Sequence, residues 1–299
     1  MIITVLYGGP SAEREVSLVS GKAVAKALRE AGHTILEHDI QPDELAILEQ
    51  KTDVVFPVLH GAWGESGELQ EILEARGLPF VGSGSKAARL GMNKVDTKRA
   101  WEAAGIPTPK YAVITDKKVP FDGPCVVKAI DSGSSIDVIV CKDPSLAPKA
   151  IDQIVSKHGR ALVEQFISGP ELTVGLLEEQ PLAPIRIIAK AEFFDFISKY
   201  KSDSTEHRFD TGLDEALIKK CQNLAKRANE IVGARDLARI DIMISDKSEP
   251  FLLEINTMPG FTPKSLLPEA ANHAGVNFVQ LVDRLARRAY ERGAKVRAA

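Results

Sequence analysis

Apolar residues in this chain come in short β-branched runs separated by stretches of helical spacing, and that alternation limits the fold more than any other feature. Residues 2–6, a Gly8-Gly9 loop and a stretch where Val16, Val19, Val24 and Leu28 recur at near-helical spacing lead to strand-like runs at 34–37 and 54–59. A helix around 68–75 and a short apolar run at 79–81 follow. Side chains repeat every second residue on a strand and about every 3.6 residues on a helix. Strands separated by helices imply a parallel sheet covered on both faces. Gly82-Ser83-Gly84-Ser85 then reads as a turn or linker.

Beyond it, Asn93-Lys94 opens a helix through Trp101 that Gly105 and Pro107 end. Strand-like runs at 111–115, 125–128, 138–141 and 161–166 come next, interrupted by helical spacing at 149–156. Runs at 172–177 and 185–189 lead into a polar stretch from Lys199 to Gly212 without apolar periodicity, long enough to be a functional loop and a candidate lid. A helix over 214–232, strands at 238–244 and 250–255, a loop rich in Pro and Gly, and a terminal helix over 278–292 complete the pattern. At about 150 residues per domain, 299 residues suggest two domains.

Composition removes several function classes. The formal charge of −3 offers no global field for nucleic acid or an anionic membrane. Apolar runs such as 54–59 fall far short of the roughly 18 residues of a membrane span, so no membrane crossing is expected. The opening run lacks the basic flank and length of a signal peptide, and cytoplasmic residence is the expectation. Cys125, Cys141 and Cys221 are odd in number and widely spaced, which suits reduced thiols, and the six histidines show no zinc-binding spacing. The basic run Arg284, Arg287, Arg288, Arg292, Lys295 and Arg297 reads as the solvated face of a terminal helix without a function of its own.

Chemistry concentrates late in the chain. Arg239 and Asp241 lie two apart on one predicted strand, Glu254 and Asn256 two apart on the next, and a hairpin would set the pairs side by side. Two carboxylates and an amide oxygen are hard donors of the kind magnesium takes together with phosphate and water. An arginine beside them fits a site that handles negative charge. The same pattern also arises from surface ion pairs across a hairpin. The following Thr257-Met258-Pro259-Gly260-Phe261-Thr262-Pro263-Lys264-Ser265 could aim N–H groups at an anion or could be a rigid turn.

Arg239-Ile240-Asp241, Glu254-Ile255-Asn256-Thr257-Met258-Pro259-Gly260, the opening Gly8-Gly9-Pro10-Ser11-Ala12-Glu13-Arg14-Glu15-Val16-Ser17, and His60-Gly61 with Gly64-Glu65-Ser66-Gly67 together resemble the D-alanine–D-alanine ligase family of the ATP-grasp superfamily. The match runs in order from residue 3 to about 285. The resemblance implies an α/β and α+β architecture, an ATP-grasp fold behind an N-terminal Rossmann-like parallel-sheet domain. Its divisions would be 1–91 with the first-substrate loop, 92–168 as central subdomain, and 169–299 with metal site and lid.

The resemblance further implies that Lys94, Lys128 and Lys199 meet the phosphates of ATP, that Glu164 accepts from the adenine amino group, and that Glu171 holds the ribose. Asp241, Glu254 and Asn256 would bind two Mg2+ ions, with Mn2+ as a substitute. Glu13 and His60 would hold the first D-alanine, Ser265 and the Leu266 N–H the second carboxylate. Ser134 and Tyr200 would connect to Glu13 by hydrogen bonds, and Arg239 with the Gly260 N–H would stabilise an oxyanion. The implied activity is synthesis of D-alanyl-D-alanine through an acyl phosphate for peptidoglycan precursors, by a homodimer. Two positions depart from the family pattern: Ala129 replaces a proline and Asp137 a glycine, which places an acid near the triphosphate. Rival readings are a ligase with D-lactate as acceptor, a non-catalytic nucleotide-binding regulator, and, on Gly8-Gly9 alone, an NAD-dependent dehydrogenase, although that loop lacks the G-x-G-x-x-G spacing.

Overall fold

A computed structural model describes residues 1–116, 118–133, 136–189 and 205–298. Strand β1 (Ile2–Gly8) lies between β2 (Thr34–Ile40) and β3 (Val54–Pro57), all parallel, with Ile3 opposite both Ile35 and Val54. Helix α1 (Arg14–Glu30) makes the first crossover and packs Val24, Ala25 and Leu28 against Ile3 and Val5; helix α2 (Glu68–Ala75) packs Leu69 and Leu73 with Leu6 and Ile40. The buried face of α1 keeps Val24 and Leu28 of the predicted row but not Val19. Val19 is 60% exposed, and Ser17, Ser20 and Gly21 face inward. Close approach is the reason: a Cβ on Gly21 would stand 2.3 Å from the Tyr7 ring.

The supposed linker at 82–85 leads directly into a helix, α3 (Ser85–Met92), for which Gly84 supplies the extended N-cap. Helix α4 (Lys94–Ala103) begins on Asn93, whose side chain accepts from the Val95 and Asp96 N–H groups, satisfying two of the helix's unpaired donors. Next comes an antiparallel sheet of β4 (Tyr111–Ile114), β5 (Cys125–Lys128), β6 (Val138–Cys141) and β7 (Ala161–Gln165), ordered β4-β7-β5-β6. Helix α5 (Ala147–His158) covers one face through Ala150, Ile151 and Ile154. Cys125 sits opposite Cys141, both buried, and burial pushes the Cys125 thiol up to about 11, which keeps it protonated.

The largest sheet holds β8 (Glu171–Leu177), β9 (Gln180–Pro181), β10 (Ile185–Ala189), β11 (Thr205–Arg208), β12 (Leu237–Ile244) and β13 (Pro250–Asn256). Its order is β11-β10-β8-β12-β13, with β9 on β8. Helix α6 (Glu215–Val232), capped by Asp214, buries Leu217, Cys221 and Leu224 against Ile240, Ile242, Leu172 and Val174. The opposite face of β12, carrying Arg239, Asp241 and Met243, is thereby left for the site. Two expectations are corrected here. Part of the polar 199–212 stretch, residues 205–208, is strand β11 paired with β10, where the ladder overrides the lack of apolar patterning. The Pro- and Gly-rich loop after β13 contains helix α7 (Leu266–His273), which precedes α8 (Phe278–Ala298).

The basic face of α8 is also not merely solvated. Arg292 donates to both carboxylate oxygens of Asp236 at 2.8 Å and to the Phe80 carbonyl, Arg288 pairs with Glu179 and Asp236, and Arg284 pairs with Glu178 at 2.7 Å. Asp236 is fully buried and also accepts from the Gly82 N–H at 2.8 Å. One carboxylate thus ties the edge of the parallel sheet, the largest sheet and the last helix together. Removing one partner of a buried charge network leaves the others uncompensated. Asp236→Asn should therefore lower stability by about 2–3 kcal/mol, discounting for partly exposed arginines, as read from urea unfolding midpoints; a loss under about 0.5 kcal/mol would show that the junction carries little.

Candidate active site

Strands β12 and β13 pair Arg239 with Asn256 and Asp241 with Glu254, and the register then slips so that Ile242 faces Leu252. Leu253 is the extra residue of a β-bulge. Without the bulge, strict alternation would place Leu252 beside Glu254; with it, Leu253 and Glu254 both line the site while Leu252 is fully buried in the core. Asp241 takes Arg239 Nε at 2.9 Å and Nη2 at 2.8 Å, and the Thr173 hydroxyl donates to it at 2.7 Å. Glu254 lies 3.4 Å from Lys94 Nζ, and the Asn256 side-chain oxygen accepts from the Met258 N–H at 2.8 Å. Among the described residues no group of three or more His, Cys, Asp or Glu forms a metal site. A cation here would rest on two carboxylates, an amide oxygen and oxygens from substrate, a hard donor set that suits magnesium.

Between the antiparallel sheet and the largest sheet lies a cavity of about 280 Å³. Val126, Val138, Val140, Phe166, Ile167, Met243 and Leu253 give it apolar walls; Lys94, Lys128, Glu164, Glu171, Asp241 and Glu254 supply charge. A smaller polar cavity shares Lys94, Ser132 and Glu254 with it and adds Glu65, Gly133, Asn256 and Thr257. An apolar slot opening onto cations and hard oxygens suits a flat base joined to a polyanion.

Glu164 is fully buried between Lys128, 2.6 Å from Oε2, and Lys98, 2.8 Å from Oε1. Burial would raise this carboxyl, but the two ammoniums outweigh it and hold it at about 2. Burial also pushes both lysines down. For Lys128 the surrounding Glu164, Glu254 and Glu171 prevail and raise it, whereas Lys98 ends lowered. Lys98 Nζ lies against both the Thr108 hydroxyl, to which it donates, and Glu164 Oε1. A carboxylate in the cavity wall has more acceptor lone pairs than its two lysines use, which suits a ligand amino group.

On the parallel-sheet side, Glu13 is buried at the start of α1, and the Ser11 hydroxyl beneath it donates to the His60 carbonyl at 2.6 Å. A Cβ on Gly61 would come within 2.9 Å of the Glu13 carboxylate and one on Gly133 within 3.3 Å, so both glycines make room for it. His60 Nδ1 lies 3.2 Å from the Met258 carbonyl and 3.3 Å from Glu65, two acceptors that fix the proton on that nitrogen. Ser265 precedes α7 and accepts from the Thr262 N–H at 3.0 Å; a Cβ on Gly260 would meet its hydroxyl at 3.3 Å. Leu266 opens α7, where backbone N–H groups have no intrahelical acceptor. Lys94, Lys128, Glu164, Glu171, Asp241, Glu254 and Asn256 line the two cavities, and Glu13, His60 and Arg239 stand against the lining residues Gly133, Glu65 and Asp241. Gly260, Ser265 and Leu266 form a neighbouring turn that lines neither cavity. Ser134, Lys199 and Tyr200 lie outside the described residues.

Two models of known families match the chain, the D-ala D-ala ligase N-terminus over residues 37–83 and the D-ala D-ala ligase C-terminus over residues 100–287. The chain belongs to the D-alanine–D-alanine ligase family. A relative named D-alanine–D-alanine ligase from Trichlorobacter lovleyi is 40% identical over 292 residues, covering 95% of this chain and 93% of its own. One from Pseudomonas entomophila is 40% identical over 287 residues, covering 94% and 90%. The crystal structure of D-alanine–D-alanine ligase from Bacillus anthracis complexed with ATP superposes with a TM-score of 0.84 at 28% identity, covering 99% of both chains.

The sequence did not single out Lys98 or the cavity walls Met243 and Leu253, and it offered Glu65 only as part of its motif, with no role of its own. Lys98 stands on α4 one turn after Lys94, and that spacing, which sets both on one helix face, was the available signal. The Glu164 shift has a consequence for acid stability. Its folded pKa, about 2, lies below the ordinary carboxyl value of 4.5, so its contribution is complete above about pH 4.5 and is lost as pH falls toward 2. Glu164→Gln should flatten the dependence of unfolding free energy on pH across that window while lowering stability at pH 7. An unchanged acid limb would contradict the pairing.

Proposed function

We infer that this chain is an ATP-dependent ligase that joins two D-alanines to D-alanyl-D-alanine through an acyl phosphate, for peptidoglycan precursor synthesis. The observation that supports the reading is a cavity with apolar walls that Lys94, Lys128, Asp241 and Glu254 line, continued by a smaller polar cavity that adds Asn256 and Glu65. The base of ATP would occupy the slot, its amino group donating to Glu164 and its ribose reaching Glu171. Lys94 and Lys128 would draw the triphosphate to the hairpin. Asp241, Glu254 and Asn256 would hold Mg2+, which when bound neutralises phosphate charge and favours attack on the terminal phosphorus.

Glu13 and His60 would orient the first D-alanine so that its carboxylate oxygen attacks that phosphorus. Ser265 and the Leu266 N–H would seat the carboxylate of the second, whose amine attacks the acyl carbon. Arg239 and the Gly260 N–H would stabilise the oxyanion so formed, and phosphate would leave. Ser134, Lys199 and Tyr200 complete the proposed set, the last two closing the site against water. The divisions 1–91, 92–168 and 169–299, a homodimeric state and a cytoplasmic location belong to the same proposal. No helix among the described residues is long and apolar enough to cross a membrane, which agrees with it.

Incubation with ATP, magnesium and D-alanine should yield D-alanyl-D-alanine, ADP and phosphate in equal amounts. Tight nucleotide binding without dipeptide would instead indicate a regulator, and turnover only with D-lactate a different acceptor. Glu254→Gln should lower turnover by on the order of 100-fold with little change in melting temperature. An unaltered rate at ordinary magnesium would remove Glu254 from the metal site.

A further inference from the structure

Between β5 and β6, residues 131–133 and 136–137 are described, and the first of these stretches reaches the site. Lys94 Nζ donates to the Ser132 carbonyl, and Ser132 and Gly133 line the smaller cavity with Glu254 and Asn256. The outer side of both stretches is held by a different element. In the second, Asp137 turns its carboxylate away from the cavity to Lys157 Nζ at 2.7 Å and His158 Nε2 at 2.8 Å. In the first, Asp131 meets Arg160 at 3.3 Å. All three partners belong to the turn in which α5 ends at Gly159 and β7 begins.

Asp137 also adopts φ +57°, a conformation that glycine takes readily and an aspartate pays for with strain. Its side chain is only 14% exposed, and Lys157 and His158 depress its carboxyl below the ordinary range although burial opposes them, so it stays ionised. Its carbonyl accepts from the Ala129 N–H at 3.0 Å. A residue strained in its backbone but held by Lys157 and His158 marks a position where the side chain does something a glycine cannot. The acid beside the triphosphate site is therefore turned outward.

Resting on the reading of the main cavity as the ATP site, we propose that Lys157, His158 and Arg160 form a clasp that holds Asp131 and Asp137, and with them Ser132 and Gly133, in place for the triphosphate, with Asp137 as its principal positioning residue. Each contact is partly exposed and weak alone. Together they reduce the freedom these residues must give up when the phosphates arrive, and that reduction appears as affinity. A nucleoside without phosphates does not engage these residues and gains nothing from the clasp.

The test compares dissociation constants of ATP and adenosine for wild type, Asp137→Gly, the Lys157→Ala/His158→Ala double variant, and all three substitutions combined. Glycine suits the positive φ, so Asp137→Gly should remain folded. Asp137→Gly and the double variant should each weaken ATP by about five- to tenfold with adenosine unchanged within twofold. The combined variant should be no weaker than Asp137→Gly, because both remove one clasp. Unchanged ATP affinity, equal weakening of ATP and adenosine, or additive losses would overturn the clasp while leaving the ATP site in place. Should Asp137→Gly not fold, Arg160→Ala and the double variant on the surface turn must show the same selective loss. Failure of wild type to bind ATP would instead refute the site reading on which the clasp rests.

Discussion

The lysines, arginine and most carboxylates buried around the cavities each meet an opposite charge, and the arrangement of the site follows from that constraint. A charge taken out of water costs several kcal/mol unless partners replace its hydration. Glu164 is enclosed between Lys98 and Lys128, Arg239 is forked onto Asp241, Lys94 stands against Glu254, and Asp236 receives Arg288 and Arg292. The first three pairings line one cavity; the fourth joins the sheets that frame it. A site for a polyanion needs more cationic charge than a protein interior tolerates unpaired, and the acids keep the lysines and arginine in place until substrate comes.

The same pairing sets how the site must respond. Lys94 engages Glu254 and the Ser132 carbonyl in this structure, and Asp241 is occupied by Arg239 and Thr173. Phosphate oxygens and the proposed divalent cation would offer both sides new partners, so that lysine could pass to phosphate and carboxylate to metal without leaving either charge bare. Exchange of this kind strengthens charged contacts only after the partners have been delivered, which suits a reaction whose acyl phosphate must not form in the absence of its acceptor. The clasp proposed at Asp131 and Asp137 acts on the same principle from the surface, where each pair is weaker and several are needed.

Much of this was legible in the residue order because strands repeat every second residue. Arg239 with Asp241 and Glu254 with Asn256 follow from that period alone, and the β12–β13 register meets it. The bulge at Leu253 was not legible, since it depends on how the largest sheet packs, yet it decides which leucine lines the cavity. Helix α3 was hidden by the Gly82–Ser85 composition, and α7 by prolines at 263 and 268 that suggest irregular chain. Val19 misled because the α1 face was chosen by close backbone approach at Gly21 rather than by apolar size. Lys98 and Asp236 carry no motif; their roles come from partners 66 and 56 residues away, Glu164 and Arg292, which only the fold brings near.

The central claim is that one carboxylate oxygen of the first D-alanine becomes bonded to the terminal phosphorus of ATP. Incubation with ATP, magnesium and D-alanine labelled with 18O in its carboxylate tests this most directly, with mass analysis of the phosphate released. The account predicts one 18O atom in each phosphate formed with dipeptide, since the bond from carboxylate oxygen to phosphorus survives when the acyl carbon is attacked. Phosphate free of label alongside labelled dipeptide would contradict it.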